Sequence, residues 1–237
     1  QSAGAMSVKY QVSSPQVQNL ISRAIIMSGG GLGRSGVSRQ ITQEQLDAPG
    51  LDMMNMAGLY TLEAMREATP EQLDSIVANY QSVMHRQFSA RPHNDDVFAP
   101  KSFDDATYEN TIADIPYMIG GLADDLGNLA KGNDDFAVVR DSLSKQPAYV
   151  YYFDAPAPDD GRPCLHGSFH SAELWYVFGT QDRSWRPYSD ADHALSEKIL
   201  DYWTNFAKYG NPNGKGEGEW KPCTKENPYV HTLKREE

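Results

Sequence analysis

At 237 residues, with 40% hydrophobic and 22% charged positions, the chain has the length and composition of a globular protein able to bury a substantial core. Its 32 acidic and 21 basic residues give a net charge of −11, which repels phosphate backbones and anionic lipid and argues against nucleic acid as a partner. No apolar run approaches the length of a membrane span; the longest, around Ala24-Ile25-Ile26-Met27, suits one buried strand.

In chain order, Gln1-Ser2-Ala3-Gly4 reproduces the last four positions of G-x-S-x-G, a sharp strand-to-helix turn that exposes a nucleophilic serine. The first glycine of that pattern is absent, so this reading expects the preceding strands to be missing from the sequence. A helix is predicted over 3–12, a turn or short helix over 15–20 and a strand over 23–27. Gly29-Gly30-Gly31-Leu32-Gly33 then breaks the chain. It has neither the Lys-Ser/Thr of a P-loop nor G-x-G-x-x-G spacing, and phosphate binding is set aside. Thr42 is expected to cap a short helix over 43–47. A second helix over 54–67 carries Leu59, Leu62 and Met65, and Pro70 opens a third over 71–88 with Leu73, Ile76, Val77, Tyr80 and Val83 on one face. The methionines here read as core filler. The polar, proline-punctuated stretch 89–110 reads as surface loop. Strands are predicted over 115–119 and 149–153, with a helix over 134–144 between them. A strong helix over 191–209 shows Leu195, Ile199, Tyr202 and Phe206 as a stripe and stops at Gly210-Asn211-Pro212. Strands alternating with helices indicate an α/β fold.

A nucleophilic serine needs a base to accept its proton and a carboxylate to orient that base. The loop after the 115–119 strand offers Asp124 and Asp125; the loop after the 149–153 strand offers His166 and His170. The residues alone leave both choices open. Metal binding finds little support: the six histidines are scattered, and His166 and His170 show no cysteine or carboxylate at ligand spacing except Glu173. Cys164 and Cys223 both sit in proline-flanked segments, and whether they form a bridge is open as well.

Four blocks resemble the type-B carboxylesterase (carboxylesterase/cholinesterase) family of α/β-hydrolases. They are Gln1-Ser2-Ala3-Gly4-Ala5-Met6-Ser7-Val8 with Arg23-Ala24-Ile25-Ile26-Met27-Ser28-Gly29, then Ile119-Gly120 through Asp124-Asp125. Gly167-Ser168-Phe169-His170-Ser171-Ala172-Glu173-Leu174-Trp175-Tyr176-Val177-Phe178-Gly179 follows, and last Tyr202 through Asn213 with Trp220-Lys221-Pro222. The blocks keep the family's order and span nearly the whole chain. The resemblance implies the C-terminal part of an α/β-hydrolase fold, a mostly parallel sheet flanked by helices, as a single partial domain over 1–237 with a helical insertion at about 42–90. It implies Ser2 as nucleophile, Asp125 as the triad acid where many relatives have glutamate, and His170 as base. Ala3 would supply an oxyanion-hole N–H, and Ser28 would stand behind the histidine. It further implies ester hydrolysis without metal or cofactor, small-molecule esters as substrates, and a secreted or periplasmic location. Gln1 stands where cholinesterases have glutamate, which argues against choline esters. The family's glycine-rich oxyanion loop and first strands have no counterpart in this sequence. A companion chain or self-association is therefore expected to cover the exposed sheet, and the chain alone is expected to be nearly inactive. Two other readings are a non-catalytic recognition module on the same scaffold and an inactive fragment.

Overall fold

A computed structural model describes residues 1–33, 43–88 and 92–236. They form two compact units: Gln1–Arg39 together with Phe98–Glu237, and Gln40–Val97, which lies between those segments in sequence. The first unit opens with α1 (Ala3–Ser13) and β1 (Ala24–Met27). The second contains α2 (Gln43–Ala57), α3 (Leu62–Glu67) and α4 (Pro70–Met84). The chain then returns through α5 (Phe103–Tyr108), β2 (Tyr117–Leu122), α6 (Asn133–Ser142), β3 (Ala148–Phe153), α7 (Leu174–Val177), α8 (Asp190–Tyr209) and β4 (Val230–Leu233).

The strands lie in the order β1-β2-β3-β4 and every neighbouring pair is parallel, so each connection must cross a face of the sheet. Successive side chains alternate between the two faces and split the core. On one face Ala24, Ile26, Tyr117, Ile119, Ala148 and Val150 pack with Ala5 and Val12 of α1, Phe103 of α5 and Phe136 of α6. On the other, Met27, Met118, Tyr149, Tyr151 and Phe153 meet Leu195, Ile199, Tyr202, Trp203 and Phe206 of α8. A sheet buried on both sides reads as continuous apolar runs, which is why β1 and β3 were visible in sequence. Helix α8 is delimited locally. Ser189 and Asp192 form a capping box at its start, and Gly210 closes it in the left-handed region at φ 72.

The elements differ from the sequence expectations in several places. β2 starts two residues later than 115, after Pro116, whose nitrogen has no proton to donate to a ladder. It also continues through Gly120 and Gly121, which read as loop; Gly120 lies opposite Tyr151, and a Cβ at residue 120 would stand 2.4 Å from the tyrosine ring. The helical unit breaks elsewhere than expected. α2 runs unbroken through Pro49, and the interruption falls at Gly58, which adopts φ +68, before Thr61 caps α3. α4 ends at Met84 because His85 turns left-handed at φ 49; Tyr80 is buried on it, whereas Leu73 and Val83 are exposed. The stretch expected to be loop contains α5, capped by Ser102, with Phe103 and Ala106 in the core. β4 was not foreseen: its four residues alternate exposed Val230 and Thr232 with buried His231 and Leu233. Thr42 and Ser89 lie outside the described residues. Cys164 and Cys223 are both free thiols, the second buried in the core.

Candidate active site

Ser2 occupies the turn ahead of α1 with φ 53 and ψ −123, a conformation L-residues avoid. Its N–H donates to Met27 O at 2.9 Å, which ties the turn to the end of β1. Ser2 makes no side-chain cap on α1. Its Oγ instead lies 2.8 Å from His170 Nε2.

His170 follows β3 by way of a long loop, and its Nδ1 stands 2.6 Å from Asp125 Oδ1. The Asp125 side chain is 2% exposed. Its position is fixed by two backbone donors, Leu122 N–H to Oδ2 at 3.1 Å and Leu126 N–H to Oδ1 at 2.9 Å. With the Nδ1 proton given to Asp125, Nε2 is the acceptor facing the Ser2 hydroxyl. Asp124 does other work. Its carboxylate accepts from Ser168 N–H at 2.8 Å and its N–H donates to Ser168 O at 3.2 Å, so that Asp124 and Phe169 form a one-residue parallel bridge. That bridge joins the acid's loop to the histidine's loop. It requires Gly167, which has φ +74 and where a Cβ would stand 2.2 Å from Asp124 Oδ2.

Ala3 heads the 11-residue helix α1 and is exposed. The first N–H groups of a helix have no intrahelical acceptor and carry the positive end of its dipole, so Ala3 presents a donor beside Ser2. Ser28 is fully buried and also left-handed, at φ 51, with its N–H donating to Gly120 O at 2.8 Å. Its Oγ has no hydrogen-bond partner among the described residues. His166 does not reach Ser2; its ring is paired with Asp159 at 2.9 Å on an exposed loop.

Two further residues stand near His170: Gln1, which the resemblance set against choline esters, and Glu173. Gln1 donates from Nε2 to Ser171 Oγ at 2.9 Å and lies 3.4 Å from His170 Nε2. Glu173 is 1% exposed, and among the described residues neither of its carboxylate oxygens has a hydrogen-bond partner. Burial, with the negative charge of Asp125 adding to it, pushes its pKa up to about 7. Its signal in sequence was an acidic residue at the head of an apolar run three positions after His170.

A serine hydroxyl facing an imidazole nitrogen, with a buried carboxylate on the other nitrogen, is suited to nucleophilic attack on an electrophilic carbon. A cation is not needed to lower the serine's barrier in such an arrangement.

Comparison with known proteins agrees with the fold. The chain spans about half the length, or less, of the relatives it matches. Carboxylesterase 1C of Rattus norvegicus is 23% identical over 300 residues, which cover 97% of this chain and 53% of that protein. Acetylcholinesterase of Danio rerio is 34% identical over 92 residues, 39% of this chain and 14% of that protein. The solved structure of a thermophilic PNB esterase superposes with a TM-score of 0.78 at 21% identity, over 98% of this chain and 58% of that one. The carboxylesterase family matches residues 1–145 and 132–237. The chain therefore belongs to the carboxylesterase family.

Proposed function

We propose that the protein carrying this chain hydrolyses carboxylic esters through an acyl-enzyme formed on Ser2. The observation that supports this most directly is the unbroken hydrogen-bonded chain from Asp125 through His170 to Ser2, at 2.6 and 2.8 Å. Ser2 Oγ attacks the ester carbonyl while His170 Nε2 takes its proton. The tetrahedral oxyanion forms beside the N–H of Ala3, where the α1 dipole favours negative charge. His170 then returns the proton to the departing alcohol, and the Asp125 carboxylate stabilises the intervening imidazolium. Water, deprotonated by His170, attacks the acyl-enzyme and releases the acid and Ser2. Gln1 contributes a neutral amide beside His170, which provides no charge to attract a cationic alcohol and favours esters of neutral alcohols. A recognition module on this scaffold would have no use for the three-residue chain of bonds.

The test is hydrolysis of an activated aryl ester. Ser2→Ala and His170→Ala are each expected to lower kcat/KM by about 10⁴-fold or more, as removal of members of such a unit does. His193→Ala, on the exposed start of α8, should leave it unchanged. Retention of turnover by Ser2→Ala would overturn the proposal.

A further inference from the structure

Between β3 and His170 the chain throws out a loop whose base is closed three times. Ala157 N–H donates to Gly167 O at 2.9 Å. The Arg186 guanidinium donates to Pro158 O at 2.8 Å and to Leu165 O at 2.9 Å. Arg186 is itself 7% exposed and lies over the rings of Phe169 and Trp185, at 5.1 and 4.8 Å from their centroids. The two ends of the loop's tip are thereby held side by side.

At that tip Asp159, Cys164 and His166 each present a ligand atom, all within 4.8 Å of one another. His166 Nδ1 is 2.9 Å from Asp159 Oδ2, and the Cys164 thiol is free. Cys164 stands two residues before His166 and Asp159 seven before it, a spacing that only the closed loop brings together.

Oxygen, sulfur and nitrogen together suit a cation of borderline softness, and Zn²⁺ accepts all three. With Zn–ligand bonds of about 2.0–2.3 Å, tetrahedral geometry sets the donor atoms about 3.3–3.6 Å apart. The carboxylate and imidazole must open by a few tenths of an ångström, and no pair need close by more than about 1.5 Å. Both adjustments are within reach of side-chain torsions. Because the loop's base is already tied, binding adds little chain ordering. Asp159 and His166 are exposed, so water can complete the coordination.

We propose that Asp159, Cys164 and His166 bind Zn²⁺ and so staple the loop that leads into His170. This inference is independent of the ester-hydrolase reading, and its test uses no turnover. The whole chain, kept reduced, is titrated with Zn²⁺ by calorimetry and with Co²⁺ by absorption. The expected result is one ion per chain, a sulfur-to-cobalt charge-transfer band, and a Tm that rises with zinc concentration. Cys164→Ala should abolish the band. Cys164→Ala and His166→Ala should each weaken zinc binding by about tenfold or more, since even outer-shell losses cost that much. His193→Ala should do neither. The proposal is overturned if zinc gives no saturable binding, if cobalt binds without the band, or if Cys164→Ala binds zinc as well as the parent.

Discussion

Glu173 and Lys9 are buried groups whose charge the fold opposes, and they act on stability in different pH windows. Glu173 titrates near 7 in the folded protein against an ordinary value of 4.5. Between those values the folded state keeps a proton that the unfolded chain has released. Stability from this group is therefore full below about pH 4.5 and is lost as pH rises toward 7, by up to about 1.4 kcal/mol per pH unit. Glu173→Gln should remove that slope in urea denaturation at pH 5, 6, 7 and 8; parallel curves for variant and parent would refute the assignment. Lys9 is fully buried; its Nζ donates to the carbonyls of Gly29 and Gly30 and lies 4.5 Å from the Phe103 ring centroid. Burial lowers its pKa from 10.5 to about 7, although Asp104 partly opposes the shift. Here the unfolded chain binds the extra proton, so stability rises with pH between about 7 and 10.5, again by up to about 1.4 kcal/mol per unit. Lys9→Met should flatten that rise while leaving two glycine carbonyls short of a donor. A rise as steep in Lys9→Met as in the parent would place the titrating group elsewhere.

Among the elements, the ones set by local signals were readable and the ones set by contact were not. α8 carries its cap, its stripe and its stop in its own sequence; its expected start is one residue from the observed one and its end coincides. β2 does not. Gly120-Gly121 has the composition of a turn, and it is a strand because Tyr151 of β3 packs over a position that has no side chain. Gly120→Ala should therefore force β2 and β3 apart and cost about 1–3 kcal/mol or more, as overpacking does; equilibrium denaturation measures it. Gly167→Ala tests the bridge between the two site loops. It combines a left-handed φ of +74 with a clash against Asp124. It should lower ester turnover far more than it lowers Tm, because it displaces His170 from Asp125 without touching the sheet. A variant with full turnover would mean the Asp124–Phe169 bridge does not position His170.

At the scale of the molecule, the two units differ in how much they bury. In the first, β2 is buried along its whole length, with β3 and α8 packed through aromatic residues on one face. In the second, Met53 and Tyr80 are buried, whereas Leu51, Tyr60, Leu62 and Val83 are each more than half exposed. Thin apolar burial makes local opening cheap. Amide hydrogen exchange should thus be fast through α2, α3 and α4 and slow through β2, β3 and α8. Equal protection in α4 and β2 would contradict this.

The order of residues by itself determined the α/β class, the turn at Ser2, β1, β3 and α8, because motif, periodicity and capping act within a dozen residues. It also narrowed the site to one serine, two aspartates and two histidines. The residues alone left the pairing open; the resemblance named Asp125 and His170, and only the tertiary structure brings that pair together, at 2.6 Å. Neighbouring residues in a loop point in different directions, and the Asp124–Phe169 bridge fixes the register that sends Asp125 to His170. The same is true of β4, whose four residues become a strand by pairing with β3, and of α5, whose Phe103 finds its core partners in distant segments such as Phe136 of α6. It is true again of Asp159, Cys164 and His166, which Arg186, twenty residues beyond His166, helps to hold together. Contacts between distant segments carry no period in the chain, and folding alone brings them into being.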